Sequence, residues 1–444
     1  MMVREEWRPM LRLALPLVAA ELGWMTMGVV DTIMAGHAGR ELLGAVALGH
    51  GLYYTFAVFG IALMFGLDPL VAQAFGRGDL SDCKRSLAAG LAMAVLLSPP
   101  LTALAWMMGP VMDWFRIDPS LREETQGYLR AVSLGTFPLM LYGSFRRFLQ
   151  AQDIVRPVMM TLISANIVNI FGNYCLIYGH FGFPKLGAAG AGYATTLARI
   201  YMVAVLCAVT VARDGWGGWT EWPGWRRVGE VWRMGLPAAL QISFEVAIFA
   251  LTTAMLGALG PVAIGGHQIA LNLASITYMI PLGISSAAAV RVGQAVGRKD
   301  GGGARRAGWV GIGMGAAFML AASLTFWIMP VLLARIYTTD GEVIAMAVSL
   351  LAIAAWFQFF DGVQAVATGA LRGLGDTRTA MATHIVCYWL IGLPLGWWLT
   401  YSRGWGARGL WTGLSAALIL IGIVLLAAWR KEAHGELVLG RGRD

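Results

Sequence analysis

The sequence predicts an all-α integral membrane protein: twelve transmembrane helices in two six-helix lobes. Three observations carry this. Of 444 residues, 58% are hydrophobic and only 13% charged, against roughly 25% charged in ordinary soluble domains. Apolar runs long enough for a bilayer crossing, about 20 residues each, follow one another along the chain. The second half also repeats the first at a fixed offset.

Gly, Pro and charge clusters bound the runs. In the first half the spans lie at 10 to 35, 46 to 75, 86 to 109, 126 to 150, 157 to 178 and 187 to 212. The first follows Arg4, Arg8 and Arg12, as a secretory signal would. Its apolar run continues through Asp31, however, so it reads as an uncleaved helix. In the second half the spans lie at 234 to 258, 264 to 293, 306 to 329, 344 to 372, 381 to 401 and 406 to 429. Trp106, Trp114, Trp222, Trp225, Trp397 and Trp398 stand near span ends, where amphipathic rings anchor a membrane protein.

A net charge of +8 and a pI near 9.5 raise the question of nucleic acid. The distribution answers it. Of 33 Lys and Arg, 24 fall at the termini and in even-numbered loops and eight in odd-numbered loops, with Arg199 inside a span. That bias places both termini in the cytoplasm and leaves no basic patch for nucleic acid. A monomer in the plasma (inner) membrane is expected.

At an offset of 221, Arg12, Leu15 and Pro16 recur as Arg233, Leu236 and Pro237. VAQAFGRGD (71–79) recurs as VGQAVGRKD (292–300), identical at six of nine positions. Six spans per half is an even number, so both halves enter from one side, as parallel repeats about a pseudo-twofold axis along the membrane normal. A cleft along that axis is expected. The polar, Trp-rich stretch from 213 to 233 joins the halves, giving lobes 1–222 and 223–444.

Acids inside such spans are costly, about 2.5 to 3.5 kcal/mol for a central Asp, and are functional candidates by default. Asp31 lies five residues before Gly36, about 8 Å from the outer end of its helix at about 1.5 Å per residue. Asn169 and Asn173 share one face of the fifth span, and Thr195 lies in the sixth. Together they form a hard-oxygen set suited to an alkali cation or hydronium. The alternative is plain interhelical hydrogen bonding, worth about 0.6 kcal/mol each. In the second lobe Glu245 and Asp361 have no basic partner at similar depth in their own spans, so desolvation favours protonated or cation-bound forms. The alternative there is a salt bridge to Arg199 or Arg291. Asp68 and Arg291 fall at similar depths in equivalent helices and could form a cytoplasmic gate, against snorkelling or pairing within each lobe. Glu21 is one more intramembrane acid, placed on the cavity wall.

Cys83, Cys175, Cys207 and Cys387 are isolated, as are His37, His50, His267 and His384, so no transition-metal site is expected. The histidines read as packing or interfacial residues. There is no Walker loop, GxSxG or HExxH, so neither ATP drive nor hydrolytic chemistry is indicated.

Three stretches, MGVVDTIMAG (27–36), GHQIALNLASITYMIPLGISSAAAVRVGQ (266–294) and GALRGLGDTR (369–378), resemble the MATE family of multidrug and toxin extrusion transporters. Acids in the first, seventh and tenth spans resemble its NorM branch. The resemblance implies a V-shaped pair of lobes exporting cationic amphipathic small molecules in exchange for inward sodium ions or protons. No cofactor is implied beyond that coupling cation. It also implies a first-lobe cation site at Asp31, Asn169, Asn173 and Thr195, and a second-lobe site at Glu245 and Asp361. The chain departs from the family where Thr379 and Ala380 replace a usual proline. A lipid-precursor or polysaccharide flippase would share the architecture but favour a basic cavity, and a channel would need a continuous polar pathway.

Overall fold

The structure, a computed structural model, describes residues 2–114 and 119–434, and every regular element among them is helical. The first repeat contains α1 (Met2–Ala38), α2 (Arg40–Leu63), α3 (Leu67–Gly76), α4 (Leu80–Trp106), α5 (Met108–Trp114), α6 (Pro119–Ser133), α7 (Thr136–Gln150), α8 (Arg156–Tyr178) and α9 (Gly187–Asp214). The second contains α10 (Trp225–Gly257), α11 (Pro261–Gly297), α12 (Gly301–Ile328), α13 (Pro330–Arg335), α14 (Gly341–Leu374), α15 (Arg378–Ile385), α16 (Leu393–Trp397) and α17 (Ala407–His434). Among the described residues, eleven helical stretches are long and apolar enough to cross a membrane. Trp106, Trp222, Trp225, Trp397 and Trp398 are exposed, as interfacial anchors must be. The Trp114 side chain and the basic tail after His434 lie outside the described residues.

The twelfth span, fourth in order, is built differently from the single helix over 126 to 150 that the pattern predicts. Two 15-residue helices, α6 and α7, meet at Leu134 and Gly135. Pro138 has no N–H to give Leu134 O, and here the ladder stops at Ser133 and restarts at Thr136. Side chains take the carbonyls this exposes. Thr196 Oγ1 donates to Ala131 O at 2.9 Å, Arg199 Nη1 to Val132 O at 3.2 Å, and Thr102 Oγ1 to Ser133 O at 3.2 Å. Hydrocarbon supplies no water to such groups, so a break is tolerated only where protein satisfies them. Glycine at 135 leaves these groups in place: a Cβ there would lie 2.8 Å from Thr196 Oγ1, 2.9 Å from Arg199 Nη1 and 3.0 Å from Val132 O, and would have to displace them. The eleventh span widens to π geometry over Val386–Gly392 and Trp398–Ser402. Pro394 between them lacks the N–H of a regular turn, and a wider turn is one way a helix absorbs that loss.

The chain divides into two compact units, Ala19–Ala239 and Met1–Val18 with Leu240–Asp444. Repeat halves are units of sequence, whereas these are units of packing. The first part of α10 belongs with the first repeat and the first part of α1 with the second. Both divisions fall two residues beyond a repeated proline, Pro16 or Pro237. In the Ala19–Ala239 unit α10 crosses the second span backbone to backbone. A Cβ on Gly66 would meet Val231 O at 2.5 Å, and one on Gly235 would meet Leu63 O at 2.1 Å. In the other unit a Cβ on Gly283 would meet Val18 N at 2.7 Å.

Equivalent helices pair alike inside the two units. The pairs α2 with α6, α4 with α7, α6 with α9 and α8 with α9 correspond to α11 with α14, α12 with α14, α14 with α17 and α16 with α17. The repeated nonapeptide explains one shared turn. Its final residues, Asp79 and Asp300, cap α4 and α12 by accepting from Asp82 N at 2.9 Å and Gly303 N at 2.7 Å.

Candidate cation sites

Small residues set the first site. A Cβ on Gly172 of α8 would lie 3.0 Å from Ala194 Cβ of α9, and one on Gly190 would lie 2.4 Å from Leu176 O. Helices approach this closely in membranes where glycine and alanine line the seam. Asn169 and Asn173 are thereby brought against Thr195, and α1 lays Asp31 across all three. Asn173 Nδ2 donates to Asp31 Oδ1 at 2.6 Å and to Asn169 Oδ1 at 3.2 Å. Thr195 Oγ1 donates to Asp31 Oδ2 at 2.9 Å and accepts from Asn169 Nδ2 at 3.5 Å. The four residues the sequence singles out thus form one closed ring, all of them buried. Every donor to the carboxylate is neutral. Asn173 Oδ1 is buried without a hydrogen-bond partner, an acceptor left over in an acceptor-rich site. The donor set fits a hard monovalent cation or a proton.

In the second unit α14 is drawn onto its neighbours by glycines. A Cβ on Gly362 would meet Gly315 O at 2.7 Å, and one on Gly369 would meet Ser285 O at 2.2 Å. Asp361, beside Gly362, is 7% exposed and accepts from Gln364 Nε2 at 3.0 Å. Gln364 Oε1 lies 3.0 Å from His384 Nε2, which also faces Gln241 Nε2 at 3.4 Å. His384 Nδ1 donates to Ala380 O at 2.8 Å. Glu245 on α10 is part-buried, close enough for the charge of Asp361 to act on it, and without a hydrogen-bond or ion-pair partner among the described residues. The sequence reading of His384 as a packing residue misses its place in the chain to Asp361. The i,i+3 spacing of Asp361 and Gln364 was the visible signal; His384 carried none. His267, by contrast, is a satisfied interior residue, accepting from Trp411 Nε1 at 3.1 Å and facing Thr253 Oγ1 at 2.8 Å.

The remaining acids are paired. Glu21 is ion-paired to Arg146 rather than free on a cavity wall, and Asp68 to Arg147 at 3.4 Å. Arg291 is paired to Glu6 at 2.7 Å. Asp68 and Arg291 each find a partner inside their own unit. Sequence reasoning counts Arg146 and Arg147 with a cytoplasmic loop; the structure buries both, at 7% and 4% exposure. The cysteines are free. No cluster of three His, Cys, Asp or Glu could hold a metal ion among the described residues.

Comparison with known proteins agrees with this architecture. A family profile described as MatE matches residues 16–175 and 237–398, once in each repeat. A probable multidrug resistance protein NorM of Mesorhizobium japonicum is 35% identical, over 97% of this chain and 94% of its own length. A protein of the same description from Pseudomonas aeruginosa is 36% identical, over 96% of this chain and 90% of its own. Among solved structures, the eukaryotic MATE transporter AtDTX14 superposes with a TM-score of 0.87 at 21% identity, covering 99% of this chain and 100% of that one.

Proposed function

The chain belongs to the MATE family of transporters, and from that premise we propose that it is a multidrug exporter driven by inward sodium ions or protons. It is an integral multi-pass membrane protein and not an enzyme. The substrates are cationic, amphipathic small molecules, and transport proceeds by alternating access of the two lobes in the plasma (inner) membrane, with both termini cytoplasmic. The lobes are those of the repeat, 1–222 and 223–444.

The observation that supports cation coupling best is the ring around Asp31, a buried carboxylate held only by neutral donors beside an orphaned buried oxygen. An ionised carboxylate in that setting demands a positive partner. A proton or alkali ion supplies it reversibly. Glu245 and Asp361 supply a second such position. Binding at either site favours one lobe arrangement, drug favours the other, and reciprocity makes each ligand weaken the other. Asp68 and Arg291 serve as a cytoplasmic gate in this scheme, which requires their pairs with Arg147 and Glu6 to open.

Energetics favour more than one ion. Each monovalent charge crossing about 100 mV is worth about 2.3 kcal/mol. Exchanging one ion for one monocationic drug cancels that drive and leaves only the ion gradient, about 1.4 kcal/mol per tenfold. Two sites permit two ions per drug, which restores the electrical contribution.

The test is purified protein in liposomes loaded with ethidium, with sodium and pH gradients imposed separately. One gradient is expected to drive efflux, and Asp31→Asn, Glu245→Gln and Asp361→Asn are each expected to reduce it. Antiport is abandoned if neither gradient moves the dye and all three variants match the parent.

A further inference from the structure

Charge is balanced within the Ala19–Ala239 unit in an incomplete way. Its buried Asp, Glu, Lys and Arg side chains, among the described residues, are three acids and three arginines: Glu21, Asp31 and Asp68 against Arg146, Arg147 and Arg199. Two pairs are closed, Glu21 with Arg146 and Asp68 with Arg147. Asp31 and Arg199 are left over. Among the described residues Asp31 is held by the neutral side chains of Asn173, Thr195 and Asn169, and Arg199 donates to neutral oxygens, Tyr53 Oη at 2.8 Å and Val132 O at 3.2 Å. Neither belongs to an ion pair among the described residues. A buried charge left without a counter-charge costs several kcal/mol, so this separation needs a reason.

The two are neighbours. Thr195, which donates to Asp31, lies one helical turn before Arg199 on the same face of α9, where side chains three or four apart meet. Arg199 is close enough for its charge to act on Asp31. Tyr128, fully buried with a hydroxyl that has no partner, lies close enough for the charges of both to act on it.

We propose that Arg199 is the internal counter-ion of the first-lobe cation site: it competes with the coupling cation for Asp31 and withdraws to the broken end of α6 when that cation is bound. The inference rests on the reading of Asp31 as a cation ligand and adds a residue that the reading does not contain. In this structure Arg199 occupies the withdrawn position. There the C-terminal carbonyls of α6, the negative end of its dipole, and the Tyr53 ring, 5.0 Å from the guanidinium, hold the charge without a carboxylate. When Asp31 loses its cation, the guanidinium takes its place and the unit stays neutral. The break in the fourth span thus provides a parking place for a displaced cation, and Gly135 leaves room for it.

Two substitutions with opposite expected signs decide the matter, both in the full chain reconstituted in liposomes. The readout is ethidium efflux against sodium concentration at fixed pH, and against imposed pH gradient in sodium-free medium. Arg199→Gln retains a donor for Val132 O but removes the competing charge. It is expected to lower the half-maximal concentration of the driving cation by about fivefold or more, the lower end of ordinary coupling between sites. Tyr53→Phe removes the hydroxyl that holds Arg199 in the withdrawn position, and is expected to raise that concentration. Arg199→Lys keeps the charge and should stay near the parent value. A residue that only caps α6 would change stability in these variants without moving the half-maximal concentration. If Arg199→Gln does not fold, Tyr53→Phe decides alone. The inference is overturned if both variants, or Tyr53→Phe alone in that case, match the parent while Asp31→Asn abolishes coupling. If Asp31→Asn itself leaves coupling intact, the reading beneath it has failed instead.

Discussion

Asn173 donates to Asp31 at 2.6 Å across 142 residues of sequence. With Thr195 it fixes both carboxylate oxygens of an acid whose hydrogen-bond partners among the described residues are all neutral. Removing either donor frees the carboxylate to rotate and, on the proposed reading, strips a ligand oxygen from the cation site. Thr195→Val keeps the shape of the side chain and loses only the hydroxyl. A hydrogen bond to a charged group contributes about 1.5 to 3 kcal/mol, so the half-maximal concentration of the driving cation should rise by about tenfold or more, read from ethidium efflux. An unchanged value would remove Thr195 from the site.

The chain from His384 through Gln364 makes the same kind of prediction in the second unit. Gln364 is 1% exposed and touches Asp361 with one end and His384 with the other. If it orients Asp361, Gln364→Met and His384→Phe disable one device and the double variant is no worse than the poorer single. Residues acting through one network give such non-additive effects, commonly about 0.5 to 3 kcal/mol. Efflux rates of the two single variants and the double variant measure it, and additive losses would show the two to be independent.

Glu21 and Arg146 test the buried pairs. Breaking one partner of such a pair costs about 3 to 5 kcal/mol, because the other charge is stranded, whereas replacing both with apolar residues is often neutral. Glu21→Leu should therefore lower the thermal midpoint in detergent sharply, and Glu21→Leu with Arg146→Met should recover most of it. A double variant as unstable as the single would mean that the pair packs as well as neutralises.

Much of this architecture is legible in the sequence alone, for physical reasons that differ by residue. Spans are long apolar runs, so eleven of twelve appear as continuous helical stretches. The exception, α6 with α7, fails because α6 is polar and its backbone is completed by Thr196 and Arg199 from another helix, a tertiary fact with no local pattern. Asp31, Asn169, Asn173 and Thr195 were legible because polar residues in apolar helices must find one another. Arg146 and Arg147 were not, because an arginine at a span end looks the same whether it reaches for solvent or for Glu21 and Asp68. His384 was missed because its role depends on Gln364, twenty residues away on another helix.

The crossing of α10 over the second span depends on Gly235, where an added Cβ would sit 2.1 Å from Leu63 O. That neighbour is backbone and cannot rotate away. Gly235→Ala should destabilise by about 1 to 3 kcal/mol, the usual cost of overpacking. Gly229, on the same helix with nothing within 4 Å of its added Cβ, is the control: Gly229→Ala should be neutral or stabilise by about 0.5 to 1 kcal/mol. Thermal midpoints of the two variants compare the positions directly, and equal shifts would refute the contact.

The two copies of the nonapeptide differ where their turns need the same backbone. Gly78 sits at φ 78° and its counterpart Lys299 at φ 59°. Both turns are closed by the same backbone bonds, Asp79 N to Ala74 O at 3.0 Å and Asp300 N to Ala295 O at 2.9 Å. Left-handed backbone costs a residue with a Cβ about 1 to 2 kcal/mol, a cost glycine escapes. Lys299 carries that strain and Gly78 does not. Lys299→Gly should therefore raise the thermal midpoint, by less than the full strain because glycine also gains freedom in the unfolded chain. The reverse change, Gly78→Lys, should lower the midpoint by a similar amount, although nothing lies within 4 Å of a Cβ at Gly78 to obstruct it. Substituting either cap, Asp79→Ala or Asp300→Ala, should cost about 1 kcal/mol more by freeing the N–H it holds. If Lys299→Gly destabilises, the lysine side chain is making a contact worth more than the strain, and the two turns are alike in shape but not in what secures them.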